Sequence, residues 1–196
     1  MQPTNHMFKN DYSILDYALS SSTQHELRSF FQIIKIQKKE SLLIAGETCR
    51  NIYFVKKGAV KEYYMSDNKE FIQNFYFEGS MACQFNSFLS QTASDSYLEA
   101  LEGSEIWILS YEDFQIISKT NSELNQHLSF CMAKNNANRV NLLMVNDSMM
   151  RYEKFLEEEP DVQQRVPQYM IASYLGMTPE TLSRLRKKMS IRNKAA

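Results

Sequence analysis

The chain has 196 residues, 43% of them hydrophobic and 23% charged, a globular composition that excludes a disordered or collagen-like chain. Its net charge is −1, so the total says nothing about partners, but from Arg165 onward there are seven Lys/Arg against one acid. A short basic module behind an acidic body points to nucleic acid at the C-terminal end, with a solvated charged face as the plain alternative.

Cys49, Cys83 and Cys131 are widely separated, form no CxxC pair and have no histidine at metal-ligand spacing. That argues against a disulfide framework, a zinc finger or a four-cysteine iron–sulfur site. The first residues show no basic-then-apolar leader pattern, and no apolar run approaches the ~18 residues of a membrane span. A soluble, cytoplasmic protein without membrane contact is expected.

Residues 1–12 are polar and irregular, and Thr23 with Glu26 forms a capping box that predicts a helix over about 22–31. Seven β-rich runs follow: 32–37, 41–44, 52–55, 59–65, 71–77, 97–101 and 105–109. Gly46, Gly58, Gly79 and Gly103 lie at their boundaries. Short strands at regular spacing predict an antiparallel barrel or sandwich. Ser110 and Asp113 then cap a helix over 111–118.

Thr120 and Glu123 open a long helical segment reaching about Asp147. One apolar stripe along it is Leu124, Leu128, Cys131, Asn135, Asn138, Leu142 and Val145. A second is Phe130, Ala133, Ala137, Val140 and Met144. Two stripes need two partners, so one packs on the body and one on a twin helix across a two-fold axis, the alternative being a monomer whose own chain buries both faces. The first stripe is assigned to the dimer seam, with Asn135 and Asn138 fixing register. Another helix spans 149–156 and ends in Glu157-Glu158-Glu159-Pro160.

The informative segment is Arg165–Met189. Met170, Ile171, Tyr174 and Leu175 have helical spacing, Gly176 ends that helix, and Thr178 caps a second one with Pro179 at its first position. Leu182, Leu185 and Met189 mark the second helix's buried face. Thr178, Glu180, Thr181, Ser183, Arg184, Arg186, Lys187 and Lys188 are the candidate DNA-binding residues. This is the pattern of a helix-turn-helix, whose second helix enters the major groove. An ordinary αα-hairpin is the bland alternative.

The segment resembles the helix-turn-helix of the Crp–Fnr family of bacterial transcription regulators. The likeness extends over nearly the whole chain through Gly46 in IAGE, Gly58 in VKKGAVKEYY and Gly79 in FEGSM. It implies an α+β protein. An N-terminal antiparallel β-roll of the cyclic-nucleotide-binding type occupies residues 1–119 with an N-terminal helix. A dimerisation helix spans 120–147 and a winged helix-turn-helix 148–196. It also implies a homodimer on an inverted DNA repeat, with RNA polymerase as a further partner. Glu180 and Arg184 match the family's readers of cytosine and guanine, whereas Pro179 stands where an Arg is usual and cannot hydrogen-bond a base.

In cyclic-nucleotide-binding relatives a Gly-Glu-Leu motif and an Arg-Ser or Arg-Thr pair hold the ligand. Here the first reads Gly79-Ser80-Met81, and the second region, around Ser94 and Asp95, has no Arg. From Glu70 to Ser118 there is no Lys or Arg and there are eight acids. A phosphodiester needs charge-assisted donors and is repelled by carboxylates, so cAMP and cGMP are not the expected effector. Ser80, Met81, Ser94 and Asp95 remain the candidate pocket for an unknown small molecule. Phe85, Phe88, Tyr97 and Trp107 could instead fill it. Arg139 is the one Arg on the long helix that could reach in.

No cofactor is expected, although single haem ligands such as His6, His25 or His127 would leave no spacing signature. A cupin-like enzyme would need histidines converging in the barrel, and none lies between His25 and His127. With no Ser–His–Asp arrangement either, an enzyme is not expected. The rivals to a DNA-binding regulator are a regulatory roll that does not touch DNA and a regulator that binds a cyclic nucleotide in a non-standard way.

Overall fold

The computed structural model describes residues 29–160 and 162–195, apart from several side chains of the long helix and those beyond Arg192. Two compact units emerge. The first comprises the described residues up to Glu62 together with Phe75–Met132; the second comprises Tyr63–Asn74 and Ala133 onward.

Eight strands build the β-region: β1 (Phe31–Ile36), β2 (Ser41–Leu43), β3 (Asn51–Lys57), β4 (Val60–Ser66), β5 (Lys69–Tyr76), β6 (Met81–Ala82), β7 (Tyr97–Ala100) and β8 (Ser104–Ser110). They form two four-stranded sheets, in the orders β1-β8-β3-β6 and β2-β7-β4-β5. The seven expected runs are all strands, and β6, too short to show a pattern, is an eighth. The helix expected over 22–31 lies almost wholly outside the described residues; Ser29 and Phe30 form a turn and Phe31 already belongs to β1.

Between the sheets lies a core that includes Ile52, Phe54, Val55, Met81, Leu98 and Ile106. Gly58, at φ +102°, shows why one turn demands glycine: a Cβ there would lie 2.1 Å from Ser104 Oγ and 2.8 Å from the Ser104 Cα. Its amide donates to Glu78 Oε1 at 2.8 Å. Asp67 (φ +48°) and Asn68 (φ +58°) form the two-residue turn between β4 and β5, the conformation such hairpins favour.

The helices are α1 (Phe85–Ser90), α2 (Tyr111–Thr120), α3 (Ser122–Leu143), α4 (Ser148–Glu158), α5 (Val162–Arg165), α6 (Gln168–Tyr174) and α7 (Pro179–Ala195). Ser110 caps α2 as expected, accepting from the Asp113 amide at 3.0 Å. The long helix starts later and ends earlier than its apolar periodicity suggests. Thr120 closes α2 by bonding back to the carbonyls of Ile116 and Ile117. Asp147 caps the next helix, accepting from the Met150 amide at 2.8 Å. After β8 the described residues contain helices and no strand, so the strands of a wing are not among them. The stretch 157–167, which holds the end of α4 and the whole of α5, has two prolines and an acidic run in place of alternating apolar residues.

Candidate DNA interface

Unit two assembles its site around the turn between α6 and α7. Gly176 adopts φ +63°, and its amide bonds back to the Ser173 carbonyl at 3.1 Å. The Met177 amide reaches the Ala172 carbonyl at 3.0 Å, so the last carbonyls of α6 are satisfied within the turn. Thr178 then caps α7, its hydroxyl accepting from the Thr181 amide at 3.2 Å. Met170, Ile171, Ala172, Tyr174, Leu175 and Leu182 are buried and lock the two helices together.

On α7 the side chains of Thr178, Glu180, Ser183, Arg184, Lys187 and Lys188 are exposed, and Thr181 is half-buried. Glu180, Arg184 and Lys187 follow i, i+4, i+7 spacing and share one face. The Glu180 carboxyl is held below its ordinary value chiefly by its own backbone amide, then by the Thr178 hydroxyl, with Arg184 adding a smaller attraction. It is therefore ionised and suited to accept a hydrogen bond. Arg186 is half-buried and, with Ser183 and Lys187 of the same helix, lines a groove of about 650 Å³ against Tyr152, Gln163 and Gln168.

Two arginines absent from the candidate residues for DNA fix the C-terminal end of α6. Arg151 donates to the Leu175 carbonyl at 2.7 Å and, twice, to the Val145 carbonyl at 3.0 and 2.7 Å. Arg139 donates to the Tyr174 carbonyl and, at 3.4 Å, to that of Ile72, and its guanidinium lies 4.2 Å from the centre of the Tyr174 ring. Burial lowers the Arg139 pKa, with the Tyr174 hydroxyl opposing. Ser173 completes the junction: its hydroxyl accepts from the Ile72 amide at 3.0 Å. Strand β5 of the β4–β5 hairpin is thereby bonded to the first helix of the motif. Sequence spacing gives no signal for this, because Ile72 and Ser173 are 101 residues apart.

The two stripes of α3 divide differently from the expectation. Leu128 is buried in the roll core and Cys131 packs against it, while Leu142 is buried in unit two and Val145 is half-buried. The side chains of Leu124, Asn135 and Asn138 lie outside the described residues. On the second stripe Phe130 is 63% exposed, Val140 55% and Met144 72%, with Ala133 and Ala137 exposed between them. Apolar periodicity marks both stripes equally and does not say which one the chain covers itself.

The candidate pocket residues of the roll differ in exposure. Met81 is buried in the core and Asp95 is exposed. The Ser94 hydroxyl both donates to the Ser96 carbonyl and accepts from the Ser96 amide, each at 3.0 Å. The Ser80 amide is bonded to the Phe77 carbonyl at 2.9 Å. Nearby, the Glu62 carboxyl accepts from the Tyr76 hydroxyl at 2.6 Å and is pushed up to about 7, mainly by burial. The roll's buried cation is Lys61, paired with Glu99 at 3.3 Å. It lies outside the cation-free stretch and is an unusual choice for a strand interior.

Among the described residues no group of three or more His, Cys, Asp or Glu could hold a metal ion, and no helix is long and apolar enough to cross a membrane. Residues 33–121 match the family described as cyclic nucleotide-binding domain. The chain is 26% identical over 165 residues to the anaerobic regulatory protein of Haemophilus influenzae, covering 76% of this chain and 63% of that relative. It is 25% identical over 175 residues to the cAMP-activated global transcriptional regulator CRP of Pasteurella multocida, covering 82% and 84%. Among solved structures, FixK2 from Bradyrhizobium japonicum superposes with a TM-score of 0.70 at 20% identity, covering 83% of this chain and 86% of that one.

Proposed function

We propose that this homologue of the Crp–Fnr transcription regulators is itself a homodimeric, sequence-specific DNA-binding regulator. The observation that carries the reading is the capped, basic helix α7 set behind a left-handed Gly176 turn. Its exposed Arg184 donates to a guanine edge and Glu180 accepts from a cytosine amine. Lys187 and Lys188 neutralise phosphates without reading sequence. Two copies read an inverted repeat with half-sites about one helical turn apart.

The seam of that dimer is the stripe Phe130, Ala133, Ala137, Val140 and Met144, which is exposed among the described residues. The effector is not a cyclic nucleotide: the ribose-binding Glu is Ser80, and 70–118 carries no cation. Arg139, the one Arg on α3, is engaged by the Tyr174 and Ile72 carbonyls. The protein acts in the cytoplasm, with RNA polymerase as a further partner.

Binding-site selection tests the reading: purified protein, no added ligand, a random duplex pool and physiological salt. Enrichment of an inverted repeat supports it. Absence of binding even at low salt refutes it and favours a roll that does not touch DNA. Calorimetric titration with cAMP and cGMP tests the effector separately, and micromolar binding of either would overturn that part.

A further inference from the structure

Cys49 precedes β3 and Cys83 follows β6. These strands pair antiparallel, with Tyr53 opposite Ala82 and Phe54 opposite Met81, so the start of one and the end of the other come together. The two sulfurs lie 3.9 Å apart and both side chains are buried. The surroundings hold the pair in place. The Cys49 amide donates to Ser87 Oγ at 2.8 Å, and the Cys49 thiol faces the Asn51 carbonyl at 3.3 Å. Cys131 belongs to α3 and is half-buried.

We infer that Cys49 and Cys83 are a redox site of the roll, a dithiol that closes to an intramolecular disulfide when a hydroperoxide reaches it. A disulfide bond is about 2.05 Å long, so the sulfurs must close by roughly 1.9 Å to form it. The polarity of the pair sets the roles. A hydrogen bond from Cys83 is the main cause that holds the Cys49 thiol down, at about 7 against burial, and the Gln84 amide helps. Burial pushes the Cys83 thiol up. Cys49 is thus the nucleophile at neutral pH and Cys83 the resolving thiol.

The chemistry balances. The Cys49 thiolate attacks one peroxide oxygen, the O–O bond breaks, and the leaving oxygen takes a proton, giving a sulfenic acid and one water from hydrogen peroxide. Cys83 then attacks that sulfur and gives up its proton, and the sulfenic oxygen leaves as the second water. Two thiols are oxidised by two electrons and one peroxide is reduced to two waters. A dithiol reductant reverses the step. In a reducing compartment such a disulfide is transient, as suits a sensor rather than a staple.

The site has a route outward. Cys83 is two residues before α1, whose Phe88 ring sits 5.3 Å from both Tyr111 and Phe114 of α2. Closing the disulfide would therefore bear on the helix that leads into α3.

The test uses the full chain, fully reduced and freed of reductant, treated with hydrogen peroxide, then alkylated in denaturant and mapped without reduction. The expected result is the loss of two of the three alkylatable thiols, a linked Cys49–Cys83 peptide in monomeric protein, and full reversal by dithiothreitol. Cys131→Ser should leave the link unchanged. The proposal is overturned if oxidation falls on Cys131 alone, if the link appears only after denaturation, or if Cys49 proceeds to sulfinic acid with Cys83 unmodified. None of these outcomes depends on DNA binding, so the redox site and the regulator reading stand or fall separately.

Discussion

Replacing Arg139 by Met removes the charged tie between α3, β5 and the end of α6. The bond to the Tyr174 carbonyl, made by a charged donor, contributes about 2 kcal/mol, and the longer 3.4 Å bond to Ile72 under about 1. The guanidinium at 4.2 Å from the Tyr174 ring adds about 1. Against this, the variant no longer desolvates a cation, which burial makes costly here, and that offsets part of the loss. The net loss is about 3 kcal/mol. Urea unfolding read by circular dichroism measures it. Hydrogen exchange at the Gly176 and Met177 amides locates it, because those amides close the turn that Arg139 steadies. A double-mutant cycle with Tyr174→Leu isolates the ring contact and should return about 1 kcal/mol of coupling, since the backbone carbonyl survives that change. A loss below about 0.5 kcal/mol, or unchanged exchange at the turn, would refute the reasoning.

Gly58→Ala should cost about 3 kcal/mol or more, because the new methyl meets Ser104 backbone at a positive φ, whereas Gly176→Ala, with its nearest neighbours at 3.7 Å, should cost only about 1 from the left-handed backbone; thermal melts separate the two. Glu62 has a folded pKa of about 7 against an ordinary 4.5, so its favourable contribution is complete below about pH 4.5 and is lost as pH rises through about 7. Glu62→Gln should therefore gain about 2–3 kcal/mol on the wild type between pH 4 and pH 8 in denaturant titrations. Val140→Glu on the exposed stripe of α3 should convert the dimer to monomer in sedimentation and abolish tight operator binding, and a variant that stays dimeric would move the seam elsewhere. Arg184→Ala should cost about 1–3 kcal/mol on the selected site and relax preference at one base pair, while Lys188→Ala should weaken all sites alike and reduce the salt slope by about 1.

The roll was legible because its short strands are separated by turn residues at regular spacing, with Gly58 at a turn that only glycine fits, and the helix-turn-helix because Gly176, Thr178 and Pro179 each have a local conformational reason to be there. What was not legible depends on contacts far apart in the chain. Thr120 and Asn121 can both begin a helix, and only the neighbouring α2 decides that Thr120 ends one. The stripes of α3 look alike in sequence, yet the roll covers Leu128 and leaves Phe130 exposed. Lys61 reads as a solvent-facing residue until Glu99 on β7 is seen beside it. Arg139 was considered for a ligand in the roll, whereas the carbonyls of Tyr174 and Ile72 engage it.

The bond between Ile72 and Ser173 also bears on how the molecule comes into being. The second unit is discontinuous in the chain, since its Tyr63–Asn74 segment is synthesised about a hundred residues before Ser173 emerges. During synthesis the hairpin must wait, and the C-terminal helices dock onto a surface that is already made. A fragment cut to begin at the long helix would lack that surface, so the helix-turn-helix is not a cassette that can be excised and transplanted. Chimeras that exchange it need to carry the hairpin as well, and those that do not should express as poorly folded protein.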